Sequence, residues 1–393
     1  MRSRSLLFLL ACAGLLCNAG CRDDDDDDSA EIVDPGPGPG PTPPPEPEPP
    51  PGPGPTPEPP PEPEPPPEPE PPPEPEPPPE PEPPPDPTPG VPGWTQQSFG
   101  GFQLFALSAV GSTHAWASSS MDSLLATTDG ANWTSISGLQ FVNLKFLDEL
   151  HGWGATYLGL HYTEDGGVTW TQKLSFENFD GIAGMSFISA STGWVLSGIG
   201  VLHKTTDTGA TWTEVSIGRD CRDLAFVNGS VGWILADGPT SVTESIWKST
   251  DGGATWNQQF TFGNSSTFLF DLAVISESEV RVGGLREEDG APMGVILSTS
   301  NGGSTWNSVV NGIPAIRDLH FATPNVGWMV AGVHIYRTVN GGGTWTEQEL
   351  PELVQLSPSN PFTGFFAVTF VDAQTGYVVG DNGIILKTTS GGE

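Results

Sequence analysis

The chain has 393 residues, among them 43 prolines and 50 glycines, and its formal net charge at pH 7 is −34. It offers no basic patch that could follow a phosphate backbone, so the composition argues against nucleic acid as a partner. Residues 22–93 carry 20 acidic side chains and one arginine, whereas residues 94–393 carry 28 acidic and 11 basic side chains. The composition thus divides the chain near residue 93.

Residues 1–20 have the pattern of an export signal. Arg2 and Arg4 form a basic start, and the apolar run at residues 6–16 is too short to span a bilayer as a mature helix. Two small residues precede Cys21, as in a bacterial lipoprotein signal, which predicts a membrane anchor through lipid on Cys21. An ordinary secretory signal, in which Cys21 is incidental, is the alternative interpretation.

Residues 21–93 are predicted to be a disordered acidic stalk. Six consecutive aspartates at 23–28 repel one another and favour solvation, and the Pro/Glu repeats that follow favour extended polyproline II. At ~3.1 Å per residue, residues 35–92 could reach on the order of 180 Å. A spacer that holds a domain away from a membrane explains this segment, and a proline-rich ligand for a partner domain is the alternative.

A turn motif recurs along the remainder of the chain. Its clearest copy is STDGGATW at residues 249–256, in which the aspartate side chain can accept from backbone N–H groups and the glycines permit positive φ angles. The turn position is occupied in successive copies by Asp129, Asp165, Asp207, Asp251, Asn301, Asn340 and Ser390. Each of these side chains keeps an oxygen that accepts hydrogen bonds, so they are predicted to be structural turn residues.

The spacing of the motif predicts the architecture. The tryptophans that end the six complete copies are 37 to 50 residues apart, and a Gly-Trp pair or a relative precedes most copies by about twenty residues. The fifth unit has Arg281 and Val282 at that place instead. Apolar alternation of period two precedes each landmark and indicates a strand. The sequence therefore predicts an all-β fold, a seven-bladed β-propeller with one motif per blade.

The start of the domain predicts how the ring closes. Residues 94–99 resemble the strand that follows the copy at 249–256, whereas the seventh copy stops at Gly391-Gly392-Glu393, before its own Thr-Trp strand. An N-terminal strand is therefore predicted to complete the last blade, which leaves no open sheet edge in the ring. The propeller is assigned to residues 94–393 and is expected to be a monomer.

Gly-Trp followed by Asp-Gly-Gly-x-Thr-Trp, once per blade from Trp94 to Glu393, resembles the photosystem II stability and assembly factor family. The turn motif itself is the Asp box, or bacterial neuraminidase repeat, whose residues are peripheral structural turns in the families that contain it. The resemblance implies a non-catalytic module that binds a protein in the cell envelope. Asp boxes also occur in sialidases and glucanases, so a carbohydrate-binding or glycoside-hydrolase-like propeller, with a glycan as partner, is the alternative.

The supply of catalytic residues argues against an enzyme. A sialidase needs three arginines that together clamp the substrate carboxylate, a tyrosine nucleophile and carboxylates. The domain has only six arginines and four tyrosines from which such a site could be built. The Arg-Ile/Val-Pro signature of that family is absent, since Gly312 precedes Ile313 and Pro314. The six histidines are not spaced as metal ligands, so no metal and no cofactor is predicted.

One set of charged residues is a candidate binding face. Immediately before the apolar alternation of several inner strands stand Arg222, Asp223, Asp271, Arg317 and Asp318. Inner strands of a propeller line its channel, so these side chains are predicted to surround one channel mouth. They could bind a partner there, or the two arginines could pair with neighbouring aspartates and stiffen the ring.

Overall fold

The computed structural model describes residues 93–121, 123–176, 181–238, 243–262, 266–288, 291–310, 312–351 and 364–393. The predicted export signal, Cys21 and the stalk up to residue 92 lie outside these residues. Within the described ranges the chain forms 28 strands and one short 3-10 helix, Asp381–Gly383. A membrane-spanning helix, of sufficient length and apolarity, is not present in this part of the chain.

The strands form seven four-stranded antiparallel sheets, which are the seven predicted blades. In blades 1 to 6 the four strands are consecutive in the chain and run from the innermost to the outermost. Blade 1 contains β2 (Leu104–Val110), β3 (His114–Ser119), β4 (Ser123–Thr127) and β5 (Thr134–Ser137). Blade 2 contains β6 (Asn143–Phe146), β7 (Gly152–Thr156), β8 (Gly159–Thr163) and β9 (Thr171–Ser175). Blade 3 contains β10 (Ile182–Phe187), β11 (Gly193–Ser197), β12 (Val201–Thr205) and β13 (Thr213–Ser216).

Blades 4 to 6 repeat this arrangement. Blade 4 contains β14 (Cys221–Phe226), β15 (Gly232–Asp237), β16 (Glu244–Ser249) and β17 (Asn257–Thr261). Blade 5 contains β18 (Thr267–Val274), β19 (Val280–Glu288), β20 (Ala291–Thr299) and β21 (Asn307–Val310). Blade 6 contains β22 (Ile316–Phe321), β23 (Gly327–Ala331), β24 (His334–Thr338) and β25 (Thr346–Glu347). Each inner strand contacts the inner strands of its two neighbouring blades, and β26 of blade 7 contacts β2 of blade 1.

Blade 7 joins the two ends of the folded domain. It contains β26 (Phe365–Phe370), β27 (Gly376–Gly380) and β28 (Ile384–Thr388), with β1 (Thr95–Ser98) as its outer strand. β1 runs antiparallel to β28, with Thr95 opposite Lys387 and Ser98 opposite Ile384. The predicted closure by an N-terminal strand is therefore confirmed.

Trp94, immediately before β1, anchors this closure. Its side chain is only 1% exposed and lies edge-on to Phe370, with ring centroids 6.1 Å apart. The same core cluster contains Trp328 and Leu386. The indole thus ties the first strand to the cores of blades 6 and 7.

The Gly-Trp landmarks are explained by contacts between successive blades. Four of these tryptophans stack on the phenylalanine that ends the next blade's inner strand, in the pairs Trp116–Phe146, Trp153–Phe187, Trp194–Phe226 and Trp328–Phe370. The centroids of Trp328 and Phe370 are 3.4 Å apart. The glycine gives space to the phenylalanine of its own blade, since a Cβ on Gly193 would lie 2.0 Å from the Phe187 ring. One phenylalanine is therefore packed between two blades.

Arg281 takes the place of tryptophan in blade 5. The Nε1 group of Trp194 donates to the carbonyl of Gly252, in the next blade's Asp box, at 2.9 Å. Arg281 Nε donates to the corresponding Gly341 carbonyl at 2.7 Å, and its guanidinium carbon lies 5.8 Å from the centre of Phe321. The arginine thus makes both the hydrogen bond and the contact with the ring.

The Asp box at residues 249–256 is a hydrogen-bonded turn between β16 and β17. Asp251 Oδ1 accepts from the backbone N–H of Thr255 at 2.9 Å, and Oδ2 accepts from its hydroxyl at 2.5 Å. Ser249 Oγ donates to Asp251 and accepts from the N–H of Gly253 at 2.8 Å. Gly252 and Gly253 have φ angles of 74° and 93°, which favour glycine.

Candidate functional site

The two faces of the propeller can be told apart by their hydrogen bonds. We call the face where the inner strands begin the mouth face. The hairpins between second and third strands lie on it, since Cys221 N–H donates to the Gly198 carbonyl at 2.8 Å and Phe365 N–H to the Gly332 carbonyl at 2.8 Å. The opposite face carries the Asp boxes, and we call it the box face.

Irregular starts of the inner strands shape the channel mouth. Six of the seven described inner strands shift register near their first residue, as in a β-bulge. The residues at the shift are Phe105, Ala183, Arg222, Phe270, Arg317 and Phe366. A bulge bends the strand and changes the direction of a side chain, which explains why Arg-Asp pairs interrupt the alternation here.

Three of the predicted aspartates occupy one level of the channel. Asp223, Asp271 and Asp318 lie on the neighbouring strands β14, β18 and β22, each at the first pairing after the register shift. Asp271 Oδ2 accepts from the N–H of Leu319 at 2.8 Å, and Asp318 Oδ2 accepts from that of Val368 at 2.7 Å. Because each bond reaches the next blade, these carboxyl groups connect the inner strands of blades 5, 6 and 7.

The environment favours the neutral form of these carboxyl groups. Burial and the nearby Asp318 charge raise the pKa of Asp223 to about 8, despite hydrogen bonds from the Leu224 and Leu272 N–H groups. Burial, then the charges of Asp318 and Asp223, raise the pKa of Asp271 well above its usual value. Burial also raises the pKa of Asp318, to about 6, while a hydrogen bond from Asp271 opposes the rise. At neutral pH these shifts favour a proton on Asp223 and on Asp271, while Asp318 accepts the hydrogen bond from Asp271.

Arg222 belongs to a separate ion network beside this cluster. Its Nε is 3.0 Å from both carboxylate oxygens of Glu244, and its Nη2 donates to Asp237 Oδ1 at 2.9 Å. Sequence reasoning placed the arginine at the mouth but missed both partners. The pairing of β15 with β16 places Asp237 directly opposite Glu244. Two facing carboxylates repel each other, which favours a cation between them.

Arg317 lies against an aromatic ring at the mouth. Its guanidinium carbon is 4.7 Å from the centre of Phe366, the residue at the register shift of blade 7. A cation over a ring face is a favourable contact, which joins the mouths of blades 6 and 7. The structure thus places all five predicted residues near the channel mouth, where Arg222 and the aspartates are bound mainly to protein groups.

Two channel residues were not anticipated from the sequence. Lys145 and His320 precede the phenylalanines that end β6 and β22, where they pair with Trp153 and Trp328. The surrounding blades desolvate Lys145 and lower its pKa, although its side chain keeps contact with solvent, and desolvation together with Lys145 lowers the pKa of His320 to about 4. Each residue directly precedes the phenylalanine that ends its inner strand, and this position could have indicated from the sequence that it faces the channel. Within the described residues, no group of three or more His, Cys, Asp or Glu side chains is arranged to hold a metal ion.

The box residues lie away from this channel. They stand between the third and fourth strands of their blades, at Asp129, Asp165, Asp207, Asp251, Asn301, Asn340 and Ser390. Hydrogen bonds from the Thr255 hydroxyl and N–H, with a further one from Ser249, lower the pKa of Asp251 to about 2. Asn301 and Asn340 keep the turn, since Oδ1 of each accepts the N–H four residues later at 2.9 Å. Ser390 instead donates to the Glu393 carbonyl at 2.8 Å.

Two curated proteins resemble the chain in sequence over somewhat less than two thirds of its length. The photosystem II assembly lipoprotein Ycf48 of a Picosynechococcus species is 24% identical over 313 residues, 63% of this chain and 84% of the relative. The protein of that name from a Synechococcus species is 25% identical over 264 residues, 64% of this chain and 73% of the relative. No protein-family model matches the chain.

Solved structures share the fold. A structure described as YCF48 bound to D1 peptide has a TM-score of 0.58 and 19% identity, and it covers 76% of this chain and 98% of its own. An ancestral GH74 enzyme has a TM-score of 0.54 and 14% identity, over 75% of this chain and 46% of its own. The solved structures agree with the seven-bladed β-propeller fold, and in sequence the chain is similar to the Ycf48 photosystem II assembly lipoproteins.

Proposed function

We propose that this chain is an exported, lipid-anchored, non-catalytic propeller that binds a protein while a complex of the cell envelope is assembled or stabilised. The observation that carries the proposal is the sequence similarity to assembly lipoproteins over 313 residues. Photosystem II is part of the relatives' name. For this chain we propose the task of protein binding during assembly, with the partner complex left to experiment.

The chemistry of the channel supports a binding role over catalysis. Asp271 and Asp318 accept backbone N–H groups of the next blade, and Arg222 is held by Glu244 and Asp237. Side chains that already make such hydrogen bonds and ion pairs within the protein stiffen the ring, and they are poorly placed for proton transfer to a substrate. The relative with a D1 peptide bound shows that a similar propeller accommodates a peptide ligand in that protein.

The lipid anchor is proposed from the leader sequence. Cys21 follows an apolar run of signal-peptide length and precedes the acidic stalk. Both curated relatives are named lipoproteins, which is consistent with this assignment. The stalk would then act as a spacer between the lipid and the propeller.

Affinity capture from the native envelope tests the proposal. The full chain carries a C-terminal tag, and captured proteins are identified by mass spectrometry after mild crosslinking. We expect a subunit of a membrane complex in stoichiometric amount, enriched in incompletely assembled forms of that complex. Capture of glycans without any such protein would contradict the proposal.

A carbohydrate-active propeller is the second candidate, because the fold is shared with a GH74 enzyme and three carboxyl groups meet in the channel. Purified protein is tested for release of reducing sugar from β-glucans and for cleavage of a fluorogenic sialoside. We expect neither activity, given the missing arginine signature and the committed carboxyl groups. Cleavage that Asp271→Asn or Asp318→Asn abolishes would establish this second function instead.

A further inference from the structure

Lys145 differs from the other lysines of the described propeller in having no partner there. The ammonium groups of Lys204, Lys248 and Lys387 donate to backbone carbonyls of the next blade. Lys173 lies over a tyrosine ring, 5.7 Å from its centre. The side chain of Lys145, on the inner strand β6, is exposed and has neither an acceptor nor a ring among the described residues. Its ammonium group is therefore available to a ligand that enters the channel.

The level of the channel that holds Lys145 contains no carboxyl group. The residues on the other inner strands that occupy the same pairing position are Ser108, Ser186, Ala225, Ala273, His320 and Thr369. His320 is neutral at pH 7, since its pKa is lowered to about 4. The aspartates of the mouth lie two residues earlier along their strands, and no acidic group opposes the lowered pKa of Lys145. This level therefore carries one positive charge at neutral pH.

Serines at this level accept hydrogen bonds from the next blade, which a lysine cannot do. Ser108 Oγ accepts from the N–H of Phe146, at the end of the next inner strand, at 2.9 Å. Ser186 of blade 3 makes the equivalent bond to blade 4, also at 2.9 Å. Lys145 stands in the place of these serines before Phe187 of blade 3, and an ammonium group only donates. Blade 2 thus offers Phe187 a cation where an acceptor would be expected.

The N–H of Phe187 points toward blade 2 and not into its own sheet. Ile188 N–H donates to the Thr192 carbonyl at 3.1 Å, so the next pair, Phe187 and Gly193, is a non-hydrogen-bonded pair of β10 and β11. The Phe187 N–H is therefore directed away from β11, to the side where β10 contacts β6. Two donors, this N–H and the Lys145 ammonium, thus lie on adjoining inner strands, and neither has an acceptor among the described residues.

We propose that Lys145 and the Phe187 N–H form a carboxylate-binding site in the channel between blades 2 and 3. One carboxylate oxygen accepts from the N–H and the other from the ammonium group, as charge-assisted hydrogen bonds. A single carboxylate balances the one positive charge, whereas a doubly charged oxyanion would leave excess negative charge near the aspartates of the mouth. The carboxylate belongs either to a small free acid or to an acidic side chain of a bound segment. This site goes beyond the proposed function, which requires no ligand in the channel.

Acetate is the probe for the chemistry of the site. Its binding to the full chain is followed by NMR, through the amide signal of Phe187 and the imidazole signals of His320. We expect saturable shifts of the Phe187 amide. Because the bound anion offsets the charge of Lys145, the pKa of His320 should also rise. Chloride and sulfate at equal ionic strength should bind at least about tenfold more weakly than acetate.

Two lysine variants of equal charge test the location. Lys145→Met removes the ammonium group from the channel, whereas Lys173→Met removes one from the outer strand β9. We expect the first to weaken acetate binding at least about tenfold and the second to change it by less than about twofold. Lys145→Arg keeps charge and donors and should retain most of the affinity. Without acetate, Lys145→Met alone should raise the pKa of His320, which shows that the variant is folded and that the charge was in the channel.

A capped tetrapeptide with one glutamate, compared with its glutamine counterpart, distinguishes the two sources of the carboxylate. If the glutamate peptide binds at least about tenfold more tightly than acetate, the natural ligand is an acidic segment; if it binds no more tightly, the ligand is a small free acid.

Shifts that do not saturate, equal binding of chloride, or equal weakening by Lys145→Met and Lys173→Met would overturn the site. Capture from the envelope judges the proposed function separately, so either can fail while the other stands.

Discussion

Arg281 shows that one residue can replace another of different chemistry when its geometry satisfies the same two neighbours. Its side chain is buried, donates to Gly341 and lies near Phe321. From the sequence, the arginine was only a departure from the Gly-Trp pattern. Trp194 in blade 3 and Arg281 in blade 5 each donate to a carbonyl in the next blade's Asp box, and this shared acceptor can be recognised only in the folded structure.

We therefore expect Arg281→Ala to destabilise the propeller. The change leaves the Gly341 carbonyl without its donor and uncovers the Phe321 ring, at a cost of about 1–3 kcal/mol in the free energy of unfolding. Urea unfolding of the full chain measures it. Arg286→Ala, on the same strand but half-buried, is the control, and equal effects of the two changes would contradict this account.

The Asp box allows a second prediction at the same scale. Asp251→Ala removes the acceptor for Thr255 and should lower the melting temperature at neutral pH. Because the pKa of Asp251 is lowered to about 2, the ionised group stabilises the fold above its ordinary pKa, and this is lost as pH falls toward 2. The deficit of the variant should shrink over that range.

Asp251→Asn is the matched control for this turn. Asn301 and Asn340 hold the same turn with an amide, so this variant should melt close to wild type at neutral pH. It should also show less change in melting on acidification than wild type. A larger loss for Asn than for Ala would show that the turn is not held as described.

At the scale of elements, the inner strands of blades 4 to 7 are connected through carboxyl groups whose pKa is raised by burial. A raised pKa means that the folded chain binds more protons than the unfolded chain between the ordinary carboxyl pKa and the folded value. The contribution to stability is therefore complete below the ordinary carboxyl pKa and declines as pH rises from there to the folded value, about 8 for Asp223. A rise in pH over this range should weaken the contact between these blades.

Asp223→Asn should remove part of this pH dependence. The amide oxygen can still accept the N–H groups of Leu224 and Leu272, but it cannot ionise. The melting temperature of the variant relative to wild type should thus increase from about pH 4 to about pH 8 and level off above. Thermal melts across this range measure it, and a difference that does not vary with pH would contradict the assignment.

The closing strand gives the clearest prediction for an element. Trp94→Ala should cost about 3–5 kcal/mol, as for other buried tryptophans. Trp256, in the corresponding place of blade 4, is only half-buried, so Trp256→Ala should cost less. Deletion of residues 94–99 should expose the edge of β28 and cause aggregation. If this deletion left the melting curve unaltered, the closure would carry no stability.

The repeats made the blades and their closure predictable, because period-two alternation and turn residues act locally. The candidate site was predictable only in part. The sequence predicted that Asp223, Asp271 and Asp318 lie at one channel mouth. Their hydrogen bonds to the next blade depend on register shifts, which cannot be predicted from the local sequence pattern. The network of Arg222 with Glu244 was missed for the same reason, since its partners are joined by strand pairing across a hairpin.

For the whole molecule, the anchor at Cys21 stays a prediction. Replacing Cys21 by Ser removes the thiol that would carry lipid, so the variant should leave the membrane fraction and take up no labelled palmitate. Its propeller should melt as wild type does. Retention in membranes with undiminished label would reject the assignment of Cys21.

The pairing of β1 with β28 also has a mechanical consequence. Thr95 begins one strand and lies opposite Lys387 near the end of the other, so a force between the two ends of the domain acts first on this pair. Hydrogen bonds loaded in that geometry break one after another, like a zipper, and not all together in shear. The seam that closes the ring is therefore its mechanical weak point, and tension along the chain should open blade 7 while the other six blades stay intact.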